Sequence, residues 1–171
     1  MKIGQFTKIV ALLVLLLAGS NSKIVLACEG DYKLVGSSSF SVWLWDVYDI
    51  ELKTPDGKYL PGKHPLELEL TYKREIDKDD LVSETKNQWE RFKLDKQTET
   101  QWLNRLSEIW PNVKENDRIT FRVCDDDKAQ FFFNDSPIGE VADKNFASYF
   151  SLIWLDPKGP YPKQVKRLTG Q

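Results

Sequence analysis

The chain has 171 residues, of which 41% are hydrophobic, 12% aromatic and 29% charged, with 24 basic and 26 acidic side chains. This composition is typical of one globular domain and excludes a disordered or collagen-like chain. The basic residues are spread among acidic ones, so the sequence predicts no nucleic-acid partner.

The first 27 residues differ in composition from the rest. Lys2 and Lys8 give a positive start, residues 9–18 are apolar, and residues 19–22 are small and polar. This layout is typical of a secretory signal peptide, and the apolar run is too short for a membrane-spanning helix, which needs about 20 residues. We predict a signal peptide over residues 1–27, one exported domain over residues 28–171 and no transmembrane span in the mature protein. In a Gram-negative bacterium the predicted location is the periplasm.

Cys28 and Cys124 are the only two cysteines in the sequence. In an oxidising compartment such a pair indicates a disulfide. Residues 25–28 (Val-Leu-Ala-Cys) also resemble a bacterial lipoprotein cleavage box, so a lipid anchor at Cys28 is one alternative and free thiols are another. His64 is the one histidine and has no cysteine near it in sequence, so the sequence predicts no metal site and no cofactor.

The hydrophobic period changes several times along the mature chain. It predicts strands over residues 40–52, 66–74, 119–123, 130–133 and 138–141. It also predicts a helix capped by Asp77, a second helix that ends before Pro111, a third capped by Asp143, and a last one over about 162–168. This order favours an α+β fold with helices packed on one face of a sheet.

The motifs of common enzyme classes are missing from the sequence. It contains no serine nucleophile elbow, no phosphate-binding or dinucleotide-binding glycine loop, and no zinc-protease motif. Motifs therefore assign no catalytic residue.

Several short segments occur in an order and spacing that belong to a known family. They are Val47–Leu52 followed by Thr54–Gly57, the strand ending in Tyr72-Lys73-Arg74, Trp110–Val113 leading to Asp117-Arg118, Phe131–Asn134 with Gly139, and Phe146–Asp156. Together they resemble the bacterial chalcone isomerase-like domain from about Val35 to Gly170. The resemblance implies an open-faced β-sandwich, in which a large antiparallel sheet and a layer of helices share a ligand cleft.

The resemblance does not extend to the catalytic residues of the plant enzymes. Those enzymes use an arginine near the first strand, and a tyrosine and an asparagine on the helix after the next strand. The matching places here hold Ser37–Ser39, Leu81 and Gln88. Because a developing oxyanion needs a positioned cation or donor pair, we expect that this protein is not a chalcone cyclase.

The resemblance to non-catalytic plant members implies binding of an apolar or amphipathic small molecule, such as a fatty acid. Tyr48, Tyr72 and Arg74 are the predicted anchor for its carboxylate, because arginine is a two-pronged donor and tyrosine carries a hydroxyl on an apolar body. Alternatively, the tyrosines pack in the sheet and Arg74 pairs with Glu75 or Asp77. An enzyme of isomerase or intramolecular-lyase type with an unknown substrate and an envelope interaction module are the alternative functions.

A Cys28–Cys124 bond predicts that reduction lowers the melting temperature. The bond would close a loop of about 100 residues, for which the chain-entropy model gives a stabilisation of about 4 to 5 kcal/mol. Ellman titration of the unfolded, unreduced mature protein is expected to find no thiol. Two titratable thiols would exclude the bond.

Overall fold

The computed structural model describes residues 30–42, 45–124 and 128–171. The predicted signal peptide and Cys28 lie outside these residues, so neither the signal peptide nor the disulfide is tested by the fold. The strands of the described part are β1 (Lys33–Val42), β2 (Trp45–Thr54), β3 (Leu66–Tyr72), β4 (Arg118–Val123), β5 (Ala129–Phe133) and β6 (Ser136–Val141). Its helices are α1 (Lys78–Trp89), α2 (Lys96–Ile109), α3 (Lys144–Leu155) and α4 (Pro162–Leu168), and a 3-10 turn (Glu90–Phe92) follows α1.

The strands form one antiparallel sheet in chain order, from β1 at one edge to β6 at the other. The chain therefore builds the sheet from neighbouring strands, and α1 and α2 are inserted between β3 and β4. The predicted α+β architecture, an antiparallel sheet with a layer of helices, is confirmed. No helix in the described ranges is long and apolar enough to cross a membrane.

The long strand predicted over residues 40–52 is in fact parts of two strands. β1 runs antiparallel to β2, with Phe40 opposite Tyr48 and Ser38 opposite Ile50. The serines of β1 look like a polar approach to a strand, but Ser39 Oγ donates a hydrogen bond to Asp49 Oδ1 at 2.6 Å across the strand pair. Polar side chains thus help to stabilise β1, and a search for alternating hydrophobic residues does not detect this strand.

The two faces of the sheet differ in chemistry. The leucines of β3 (Leu66, Leu68 and Leu70) are buried on the helix side. On the opposite face Lys53 Nζ lies 3.0 Å from Glu51 Oε2 and 3.2 Å from Glu69 Oε1. This alternation is the pattern of a sheet with one packed and one polar face.

The helices begin with different capping groups. Asp143 caps α3 as predicted, because its Oδ1 accepts from Asn145 N at 2.9 Å. Asp77 occupies the N-cap of α1, but its side chain makes no capping hydrogen bond. Instead, Asn112 Oδ1 accepts from Lys78 N at 2.9 Å, which ties the start of α1 to the segment before β4.

Aromatic rings join the helices to the sheet. The ring of Phe150 on α3 lies 4.7 Å from Phe121 on β4 and 5.3 Å from Phe131 on β5, between ring centroids. Trp89 of α1 and Trp102 of α2 meet edge to face at 5.5 Å. These contacts place the core between β3–β5 and the helices α1, α2 and α3.

The last helix packs against the edge strand β1 at a glycine. A Cβ atom on Gly36 would lie 2.1 Å from the backbone oxygen of Arg167 and 2.7 Å from that of Leu168. The end of α4 can approach β1 this closely only because residue 36 has no side chain.

Substitution of Gly36 by alanine is expected to lower the free energy of unfolding by about 1 to 3 kcal/mol, because a backbone oxygen cannot yield as a flexible side chain can. Urea denaturation measures the change. Gly30→Ala is the matched control, since a Cβ there meets no atom within 4 Å. Equal stability of the two variants would contradict the close packing of α4 on β1.

Candidate ligand-binding site

A cavity of about 70 Å³ lies between the helix side of the sheet and the helices α1 and α3. Its sheet wall consists of apolar and aromatic side chains from β2, β3 and β4, namely Tyr48, Leu70, Tyr72, Ile119 and Phe121. These residues lie in register, with Tyr48 opposite Tyr72 and Leu70 opposite Ile119. The register of three neighbouring strands therefore positions the whole wall.

The opposite wall comes from the helical layer. α3 contributes Phe150, Ile153 and Trp154, and Trp110 follows directly after α2. Phe150 and Trp154 lie four residues apart on one face of α3, and their ring centroids are 5.3 Å apart. The cavity is thus enclosed mainly by aromatic and aliphatic groups.

α1 contributes the polar part of the lining. Leu81, Glu84, Thr85 and Gln88 line the cavity, and their spacing places them on one face of the helix. Glu84 Oε1 accepts from Gln88 Nε2 at 2.7 Å, and Gln88 Oε1 accepts from Arg91 at 2.9 Å. Glu84 is exposed and is the one charged residue among the described residues that line the cavity.

The polar atoms along the aromatic walls are hydrogen-bond donors with spare capacity. Trp154 Nε1 donates to Tyr48 Oη at 2.9 Å, so the proton of Tyr48 remains available. Among the described residues, Trp154 is the hydrogen-bond partner of the Tyr48 hydroxyl and the Tyr72 hydroxyl has none, so neither tyrosine donates its hydroxyl proton to another described residue. Trp110 is only 7% exposed, and its Nε1 has no hydrogen-bond partner among the described residues. A buried donor without an acceptor is uncommon in proteins.

Burial keeps both tyrosines of the cavity protonated. Desolvation raises the pKa of Tyr48 well above its ordinary value of 10, and the nearby Tyr161 and Glu84 raise it further, against the hydrogen bond from Trp154. Desolvation also raises the pKa of Tyr72 far above 10, with a further contribution from Tyr48. Both hydroxyls are uncharged donors at neutral pH, as those of ordinary tyrosines are, and the raised pKa keeps them uncharged to higher pH.

The structure brings together only two of the three predicted anchor residues. Tyr48 and Tyr72 line the cavity, and their ring centroids are 5.9 Å apart. Arg74 is exposed and does not line the cavity, and its guanidinium carbon lies 5.6 Å from the ring centroid of Trp45, itself 67% exposed. Arg74 follows the end of β3 at Tyr72, where strand alternation no longer applies, and its role as a carboxylate anchor stays a prediction.

The other cysteine of the predicted pair can be located. Cys124 is buried just after β4 and is not part of the cavity lining. Because Cys28 lies outside the described residues, the Cys28–Cys124 disulfide stays a prediction.

Sequence reasoning missed most of the α1 and α3 lining. Leu81 and Gln88, which occupy the places of two catalytic residues of the plant enzymes, both line the cavity. Positions 84 and 85 lie on the same helix face between them, so helical periodicity would have identified Glu84 and Thr85. No comparable signal marks Trp110, whose place depends on how α2 packs.

Tyr48 and Tyr72 are expected to keep their protons near pH 10, where exposed tyrosines ionise. In the unfolded chain all six tyrosines titrate there. The unfolded state then binds fewer protons, so the free energy of unfolding should fall as pH rises above about 10. Ultraviolet titration of phenolate should show a deficit of at least two tyrosines in the folded protein relative to the protein in urea. Six phenolates near pH 10 with the circular dichroism of the folded state intact would contradict this placement.

Two comparisons show which known proteins this chain resembles. The chain is 25% identical over 137 residues to a Haemophilus influenzae protein described as uncharacterized, with 80% of this chain and 67% of the relative covered. Its fold is similar to the crystal structure of a fatty-acid binding protein from Arabidopsis thaliana, with a TM-score of 0.64 and 12% identity. That likeness covers 84% of this chain and 89% of the plant protein, and at this identity it shows the fold alone.

The family assignment rests on a sequence match that extends well beyond the residues of the cavity. The model of the chalcone isomerase-like family matches residues 30–168, which includes every strand and helix described above. The chain therefore belongs to the chalcone isomerase-like family.

Proposed function

We propose that this protein is a non-catalytic binding protein for an apolar or amphipathic small molecule, held in the cavity between the sheet and the helices α1 and α3. The observation that carries the proposal is the lining: an apolar floor with a few uncharged donors, which is the general form of a small-molecule site. The likeness to a plant fatty-acid binding protein supports this use of the fold, with a fatty acid as one candidate ligand.

The composition of the cavity supports binding over catalysis. Ring closure of a chalcone places negative charge on oxygen, and the plant enzymes stabilise it with an arginine. No arginine, lysine or histidine is among the described residues that line this cavity. The matching positions hold Leu81 and Gln88, and the raised pKa of Tyr48 and of Tyr72, caused by desolvation, disfavours a phenolate base at neutral pH.

The size of the cavity implies that a wall moves when a ligand binds. An engineered apolar cavity of about 150 Å³ holds benzene, whereas this one has about 70 Å³. Of the twelve residues of α1, only Thr85 and Trp89 are buried, so α1 is the wall with the fewest buried side chains. Outward displacement of the first half of α1 would lengthen the cavity without opening the aromatic core.

We further propose that the protein is exported. Lys2 and Lys8 followed by the apolar residues 9–18 support a signal peptide, and the location would be periplasmic in a Gram-negative bacterium. Attachment to the membrane through a lipid on Cys28 is the alternative. In either case the cavity would sample molecules of the envelope.

The binding proposal is tested with 1-N-phenylnaphthylamine, an uncharged apolar fluorophore, and a pair of neighbouring substitutions on α3. Ile153 and Leu152 are both half-buried, but only Ile153 lines the cavity. Wild type is expected to bind the fluorophore saturably. Ile153→Trp fills the cavity and should weaken binding about tenfold or more, which equals about 1.4 kcal/mol, while Leu152→Trp should keep it within about threefold.

Leu81→Trp, on the α1 side of the cavity, should weaken fluorophore binding in the same way. Circular dichroism verifies that each variant is folded. Absence of saturable binding by wild type, or equal binding by the Ile153 and Leu152 variants, would contradict the proposal. Incubation with a chalcone is expected to show no protein-dependent decay of its visible absorbance. A fast decay that Ile153→Trp abolishes would favour the enzyme alternative instead.

A further inference from the structure

The charges around the cavity restrict the head group of its ligand. Among the described lining residues the only charged side chain is Glu84, which is negative and exposed at the α1 wall. A carboxylate near Glu84 would be repelled, and a carboxylate deeper in the cavity would meet no cation. Burial of an ion without a partner of opposite charge is strongly unfavourable.

Arg91 and Arg74, two cations that follow lining residues in the chain, are engaged elsewhere. Arg91 donates to Gln88 Oε1 at 2.9 Å and to the backbone oxygen of Leu152 at 2.7 Å, and its Nε lies 3.7 Å from Asp156. It therefore fastens the end of α1 to α3 and does not line the cavity. Arg74 lies over the ring of Trp45, outside the lining.

The unused hydrogen-bonding capacity of the cavity is that of uncharged donors. Tyr48 and Tyr72 each have a hydroxyl proton that no described residue accepts, and the N–H of Trp110 is buried without an acceptor. A ligand oxygen can satisfy such donors when the ligand enters. An alcohol, an amide or an ester supplies that oxygen without bringing a charge into the cavity.

We propose that the ligand of this cavity is an uncharged amphiphile, an alkyl or aryl chain with a neutral oxygen acceptor, and that Glu84 discriminates against carboxylates. This inference rests on the proposed binding function and narrows its ligand class, because it disfavours the ionised fatty acid that the proposed function allows. Tyr72 and Tyr48 receive the neutral oxygen, and the apolar floor receives the chain.

The test compares ligands that share one alkyl chain and differ only in the head group. Dodecanol, dodecanamide and dodecanoate are titrated at pH 8 against protein loaded with 1-N-phenylnaphthylamine. Dodecanol and dodecanamide are expected to displace the fluorophore at concentrations about tenfold lower than dodecanoate. Dodecanoate that binds as tightly as dodecanol would overturn the inference but leave the binding function intact. Failure of the fluorophore itself to bind would instead overturn the binding function on which the inference rests.

Two substitutions assign the discrimination to residues. Glu84→Gln should strengthen dodecanoate binding about threefold or more relative to dodecanol. Glu99→Gln is the matched control, since Glu99 lies in the first turn of α2 and does not line the cavity. Tyr72→Phe should weaken dodecanol about fivefold, because the ligand oxygen loses a hydrogen-bond donor. An equal effect of the two glutamate substitutions on dodecanoate, or no effect of Tyr72→Phe on dodecanol, would contradict the assigned roles.

Discussion

The packing of Phe150 against Phe121 and Phe131 is the contact on which the rest of the structure depends. It holds α3 against β4 and β5, with 4.7 Å between the ring centroids of Phe121 and Phe150. Phe121 and Phe150 also line the cavity, so the same rings that join the two layers form its floor. Closely packed aromatic rings change position only at high energetic cost, which makes this floor rigid and leaves movement to α1.

The chemistry of the site follows from the hydrogen-bond donors that remain without acceptors between the sheet and the helices. The polar face of the sheet uses its charges in ion pairs such as Lys53 with Glu51 and Glu69, whereas the cavity side retains neutral donors. Desolvation keeps Tyr48 and Tyr72 uncharged by raising the pKa of each. A site of this kind can bind and orient a neutral molecule, and none of its described lining residues carries the positive charge that would stabilise an oxyanion.

The helices and strands that could be predicted are those whose burial pattern or capping residue is visible in a short stretch of sequence. The alternation of Leu66 to Tyr72 revealed a strand with one buried face, and Asp143 marked the start of α3. β1 was not separated from β2, because its serines form cross-strand hydrogen bonds that leave no hydrophobic period. The position of Arg74 outside the cavity lining could not be predicted, because no sequence signal marks the end of β3 after Tyr72. The cavity itself depends on the distance between α1 and the sheet, which long-range packing sets.

The most direct test of the central claim is native mass spectrometry of the protein purified from its own cells, followed by identification of the molecule that is released. We expect an adduct of at most one molecule of an uncharged amphiphilic compound per protein chain. The Ile153→Trp variant prepared in the same way should carry no such adduct. A carboxylate as the retained compound would contradict the assignment of the head group. An adduct that remains in the Ile153→Trp variant would place the ligand outside this cavity and contradict the account as a whole.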